Sequence, residues 1–149
     1  HPDGGEAVMA RRVLQLDIKV PSHTRYLGLV GRIGEDVARE LKKLGRVPED
    51  LADVLNVVLT EAMANAIRHA HDDDPHKTVH ISISLVRDDL RIRVFDRGHG
   101  FDFESACDYD PDTLEERGRG IYIIRTLMDT VVYRRLREHN VLEMWKKLR

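Results

Sequence analysis

The chain has 149 residues, of which 42% are hydrophobic and 34% charged, and its formal net charge is −2. This is the make-up of one soluble globular domain, large enough to bury its own core. It gives no electrostatic reason to expect a nucleic-acid partner, because the Arg134-Arg135 and Lys146-Lys147 pairs are interleaved with acidic residues.

The single cysteine, Cys107, excludes an intramolecular disulfide and a zinc cluster of the usual kind, and fits a reducing, cytoplasmic setting. No apolar run approaches the ~20 residues that span a bilayer, and no signal-peptide pattern opens the chain, so no membrane partner is expected. The first residue is His1 rather than Met, which points to a processed, tagged or excised piece. Residues 1–10, without periodicity, are set apart from a single domain over residues 11–149.

Val13 to Val20 alternates as a strand, with Leu14, Leu16, Ile18 and Val20 on one face. Pro21-Ser22 stops it, and Ser22 or Thr24 can cap the helix that comes next. Tyr26 to Leu44 carries apolar residues at helical spacing (Leu29, Val30, Ile33, Val37, Leu41, Leu44) and Gly45 closes the helix. Pro48, Glu49 and Asp50 suit the start of a second helix, whose stripe runs Leu51, Val54, Leu55, Val58, Leu59, Ala62, Ala66 until His71 to Pro75 breaks it. Thr78 to Val86 and Leu90 to Phe95 read as strands joined by a turn at Asp88-Asp89, with Ile81, Ile83 and Leu85 opposite a polar face of His80, Ser82 and Ser84.

Arg97 to Arg117 has glycines, a proline, many acids and no sustained period, and a loop that long inside one domain is usually functional. A short helix over Arg119 to Met128 and strands over Val131 to Arg137 and Val141 to Leu148 complete the chain, with Trp145 read as core. The order βααββαββ predicts an α/β two-layer sandwich.

Three places carry candidate chemistry. On the second helix, Glu61 and His69 lie about 40° to either side of Asn65, so a polar row invades the edge of an apolar stripe. The same row also fits an Asn bonded to backbone and a Glu turned to solvent. Asp96-Arg97-Gly98-His99-Gly100 follows a strand, where alternate glycines let the backbone approach a ligand. By itself it also fits a plain turn. Gly118-Arg119-Gly120-Ile121 opens a helix whose N-terminal amides suit phosphate, and a simple loop–helix junction has the same composition.

In this order the three resemble the N, G1 and G2 boxes of the GHKL (Bergerat fold) ATP-binding superfamily. The stretch from Asp110-Pro111 through Gly118-Arg119-Gly120-Ile121 to Met128-Asp129 is similar to one branch, the bacterial anti-sigma-factor serine/threonine kinases, and the resemblance covers about Val13 to Leu148. It implies a mixed, mainly antiparallel sheet packed on helices, with residues 101–117 as a lid. It implies Mg²⁺ on Asn65, ATP or ADP with its adenine amino group on Asp96, and Gly98 and Gly100 close to base and ribose. Gly118, Arg119, Gly120 and Ile121 then wrap the phosphates, Arg68 and His69 border them, and Glu61 is the general base. It also implies a homodimer, an anti-anti-sigma (STAS-type) partner phosphorylated on serine, and a sequestered sigma factor. A nucleotide-binding scaffold without kinase activity and the ATP-binding domain of a histidine kinase are the alternatives. The family often shows Gly-Thr before its last strand, where the Thr helps hold adenine; His139-Asn140-Val141 stands there instead. Of the eight histidines, His69, His71, His76 and His80 cluster in sequence, but none pairs at helical ligand spacing with an acidic third partner.

Overall fold

The computed structural model describes residues 12–69, 77–113 and 118–149. The segment at 1–10, the break at His71 to Pro75, His76 and the end of the long loop at Arg117 lie outside these residues. In chain order the elements are β1 (Arg12–Pro21), a 3₁₀ turn (Thr24–Tyr26), α1 (Leu27–Leu44), α2 (Leu51–Arg68), β2 (Thr78–Val86), β3 (Asp89–Asp96), α3 (Phe103–Cys107), α4 (Arg119–Leu127), β4 (Thr130–Arg135) and β5 (Asn140–Lys147). The two-layer sandwich is present: a five-stranded sheet in the order β1-β2-β3-β5-β4 with helices on one face. Its neighbouring strands all pair antiparallel, so the parallel component of a mixed sheet is absent from the described strands.

Period-2 alternation decides which face each strand buries. Val79, Ile81, Ile83 and Leu85 of β2, Leu90, Ile92 and Val94 of β3, and Leu142 and Met144 of β5 point into the helix layer and are buried. Against them lies the stripe of α2, with Leu51, Val54, Leu55, Val58, Leu59, Ala62 and Ala66 all buried. The opposite sheet face carries no helix among the described residues but is not bare. Ser84 donates to Gln15 Oε1 at 2.7 Å, and Ser82 and Ser84 are both buried beneath longer polar side chains. Trp145, expected in the core, stands on this outer face because its neighbour Met144 takes the inward position; the Arg91 guanidinium lies 5.4 Å from its ring centroid.

Other expectations shift by a residue or a face. His23, rather than Ser22 or Thr24, caps the 3₁₀ turn, its Nδ1 accepting from the Arg25 amide. The β2–β3 turn is Arg87-Asp88, with Arg87 at φ 59°. Leu29 and Leu44, counted in the apolar stripe of α1, are 43% and 54% exposed. The face of α1 that meets α2 is built instead on Val30, Gly31, Gly34, Val37, Ala38 and Leu41. Glycines let the two backbones approach: a Cβ on Gly34 would stand 2.8 Å from the Leu55 carbonyl oxygen. The long loop also contains a helix that its composition hid, α3, capped by Asp102 accepting from the Ser105 amide at 3.1 Å. No helix among the described residues is long and apolar enough to cross a membrane.

The α1–α2 contact gives a paired test. Gly34→Val should lower unfolding free energy in urea by about 1–3 kcal/mol through overpacking. Gly28→Ala, whose Cβ would meet only the flexible Arg32 guanidinium, should stabilise by up to about 1 kcal/mol through helix propensity.

Candidate functional site

The C-terminal ends of α2 and β3 meet at one end of the core, and the candidate residues gather there. Asn65, in the last turn of α2, is only 7% exposed although it interrupts an apolar stripe. Glu61 stands one turn earlier. Asp96 ends β3 and folds back on its own loop: its Oδ1 accepts from the Gly98 amide at 2.8 Å, the Asx-turn geometry that lets an Asp shape a turn. The loop is then tied to α2, because the His99 amide donates to the His69 carbonyl at 3.2 Å and the Phe101 ring stacks on His69 at 4.6 Å.

Glycine is required at two of the positions. Gly100 has φ +79° and Gly118 φ +83°, the left-handed region that penalises a side chain. A Cβ on Gly100 would also lie 2.6 Å from Arg135 Nε, whose Nη2 donates to the His99 carbonyl at 2.9 Å. Gly118 is the N-cap of α4, and the Tyr122 amide donates to its carbonyl at 3.0 Å. The first-turn amides of α4 therefore face the loop end of the site, the usual seat for an anion. Gly120 in that turn backs onto Glu61, whose Oε1 would be 3.2 Å from a Cβ there.

Two cavities flank the tied loop. The larger, about 700 Å³, is lined by Asp96, Gly98, Ala66, Val79, Phe95 and His139 among others. The smaller, about 440 Å³, is lined by Asn65, Arg68, His69, Gly100, Phe101 and Gly118 among others. The structure thus brings Asn65, Arg68, His69, Gly100 and Gly118 to one cavity and Asp96 and Gly98 to its neighbour. Glu61, Arg119, Gly120 and Ile121 line neither among the described residues. Ile121 is 2% exposed and belongs to the core, so what it offers the site is a backbone amide and not a side chain.

Sequence reasoning gave no role to three residues here. Asn140, the first residue of β5 and paired with Asp96 in the β3–β5 register, donates through Nδ2 to Asp96 Oδ1 at 3.1 Å and to the Gly98 carbonyl at 2.9 Å. Tyr133 and Arg135 on β4 close the far side of the loop. Burial, then the nearby Asp96 charge, pushes the Tyr133 phenol up, against the opposing pull of the Phe101 backbone and the Arg135 charge. The available signal was Asn at a strand start, a residue that strands disfavour.

The family model "Histidine kinase-like ATPase domain" matches residues 21–146. A relative named serine-protein kinase RsbW from Bacillus velezensis is 32% identical over 131 residues, covering 83% of this chain and 79% of that protein. Two solved structures share the fold. The RsbU and RsbW domains of a Mycobacterium tuberculosis protein superpose with a TM-score of 0.59 at 17% identity, over 91% of this chain and 32% of that one. The SiaB–SiaC complex from Pseudomonas aeruginosa gives 0.60 at 11% identity, over 97% of this chain and 96% of that one.

The left-handed glycines yield a direct test. Gly100→Ala and Gly118→Ala should each destabilise the domain by about 1–2 kcal/mol in urea unfolding, the cost of a side chain in that backbone region.

Proposed function

We propose that this chain, which belongs to the histidine kinase-like ATPase family, is an ATP-dependent serine/threonine protein kinase of the anti-sigma-factor type. Its substrate is a serine on an anti-anti-sigma partner of the STAS kind, and it sequesters a sigma factor in alternation with that partner. The observation that carries the reading is the Glu61 carboxylate, set one helical turn before the buried Asn65 and against Gly120 at the N-terminus of α4. The name serine-protein kinase carried by relatives at about 30% identity supports it.

The residues fit a magnesium-bound nucleotide. Asn65 offers one side-chain oxygen, enough for Mg²⁺, which keeps water ligands and takes the rest of its shell from phosphates. When bound, MgATP supplies the transferable phosphoryl group and part of the charge neutralisation. Asp96 accepts a hydrogen bond from the adenine amino group, with Gly98 and Gly100 keeping Cβ atoms away from base and ribose. Gly118, Arg119, Gly120 and Ile121 present amides and one guanidinium to the phosphates, with Arg68 and His69 along the border of the smaller cavity. The loop at 101–117, whose residues 114–117 lie outside the described ones, would cover the nucleotide as a lid. Glu61 would take the serine proton as the serine oxygen bonds to the γ-phosphorus of ATP and the bond from that phosphorus to the bridging oxygen breaks, ADP leaving with that oxygen, work for which positioning and preorganised charge are the main requirements. The working unit is a homodimer.

A second reading, a nucleotide-binding regulatory scaffold without transfer, is favoured by one observation: Glu61 lines neither cavity among the described residues. Labelled transfer from ATP to the partner separates the two. Glu61→Gln should bind ATP within about twofold of the parent while transfer falls about 10²–10⁴-fold, the worth of a positioned base. Transfer at the parental rate removes Glu61 from that role, and no transfer by the parent leaves the scaffold. In calorimetry, Asn65→Ala should abolish the magnesium-dependent part of ATP binding. If Asn65 is only a structural hydrogen-bonder, the variant melts earlier but binds MgATP normally.

A further inference from the structure

Asn140 is 5% exposed, and it starts β5 directly across the register from Asp96. Strands disfavour Asn, and an amide buried without partners is costly, so something specific holds it there. Its Nδ2 donates at 3.1 Å to Asp96 Oδ1 and at 2.9 Å to the Gly98 carbonyl, and an amide nitrogen has only two protons to give. The Gly98 amide supplies Asp96 Oδ1 with a second donor at 2.8 Å. One carboxylate oxygen is thereby held by two donors from two different segments, the G1 loop and the last strand.

A carboxylate on its own turns easily about its terminal torsion, whose wells are broad and two-fold. With both bonds on Oδ1 that rotation is stopped, and Oδ2 becomes the oxygen left for a ligand. Asn140 has spent both protons and cannot donate to a base itself. Asn140 therefore acts behind Asp96, unlike a side chain that contacts the base directly.

We propose that Asn140 is a positioning residue: by fixing the Asp96 carboxylate it sets the preference of the site for purines that carry a 6-amino group. The proposal rests on the adenine-reading role proposed for Asp96, and the test separates failure of one from failure of the other.

Calorimetry with two probes, ATP and purine riboside triphosphate (which lacks the 6-amino group), is run on the parent, Asn140→Ala, Asn140→Ser and Asp96→Asn. The parent should prefer ATP by about tenfold or more, since a site built to bond a substrate group rejects the analogue without it. Asn140→Ala should lose most of that preference through weaker ATP binding, with affinity for the analogue unchanged within about twofold. Asn140→Ser, which keeps one donor, should fall between the two. Should Asn140→Ala not fold, Asn140→Asp, of the same size but with an acceptor in place of the donor, carries the same expectation. A parent that binds both probes equally overturns the Asp96 reading, and this inference with it. A discriminating parent whose Asn140 variants discriminate equally well overturns the positioning role alone. Equal loss of both probes also overturns it, because Asn140 would then serve the fold and not the orientation of Asp96.

Discussion

Polar side chains buried at the end of an apolar core must find partners there, and this constraint organises the site end of the molecule. Asn65 and Asn140 are both buried, and Asp96 stands between the elements that carry them. Leaving such groups without partners costs about 1–3 kcal/mol each by mutational measures. The Asp96–Gly98–Asn140 set meets the cost with three hydrogen bonds, one closing the G1 loop on itself and two joining it to the last strand. The same bonds hold the turn that brings His99 and Phe101 onto His69 at the end of α2. Packing, turn geometry and candidate chemistry at this end are one arrangement.

The glycines depend on it. Once the loop after Asp96 is tied down on both sides, Gly100 is pressed against Arg135 and Tyr133, and only a residue without Cβ keeps its left-handed backbone at no cost. At the other rim Gly118 turns the chain into α4, and Gly120 lets that helix start against the Glu61 carboxylate. Asn65 and Gly118 thus line one cavity, and the Glu61 carboxylate lies against Gly120, although each comes from a different part of the chain.

Much of this was legible in the sequence, for identifiable reasons. Regular period-2 and period-3.6 runs put every strand and long helix within a few residues of its place, and the stripe of α2 is buried at each position read from it. Errors fell where a pattern was blind to its surroundings. Leu29 and Leu44 match the helical period, yet the α1–α2 contact is set by Gly31 and Gly34, which hydrophobic counting ignores. Trp145 looked like core by size, but strand parity gives that place to Met144. Asn65, Asp96 and the glycines stood out because their residue types are unusual where they occur. Asn140 stood out only as a departure from the family's Gly-Thr, because its role depends on pairing across the sheet with a residue far away in sequence.

The central claim is that Asp96 and Asn65 together receive one magnesium-bound adenine nucleotide. A crystal structure of the protein with Mg²⁺ and a non-hydrolysable ATP analogue tests it most directly. The metal should sit on the Asn65 side-chain oxygen, the adenine amino group on Asp96 Oδ2, and the phosphates at the first turn of α4. A nucleotide bound with its base away from Asp96, or a metal held without Asn65, would contradict it.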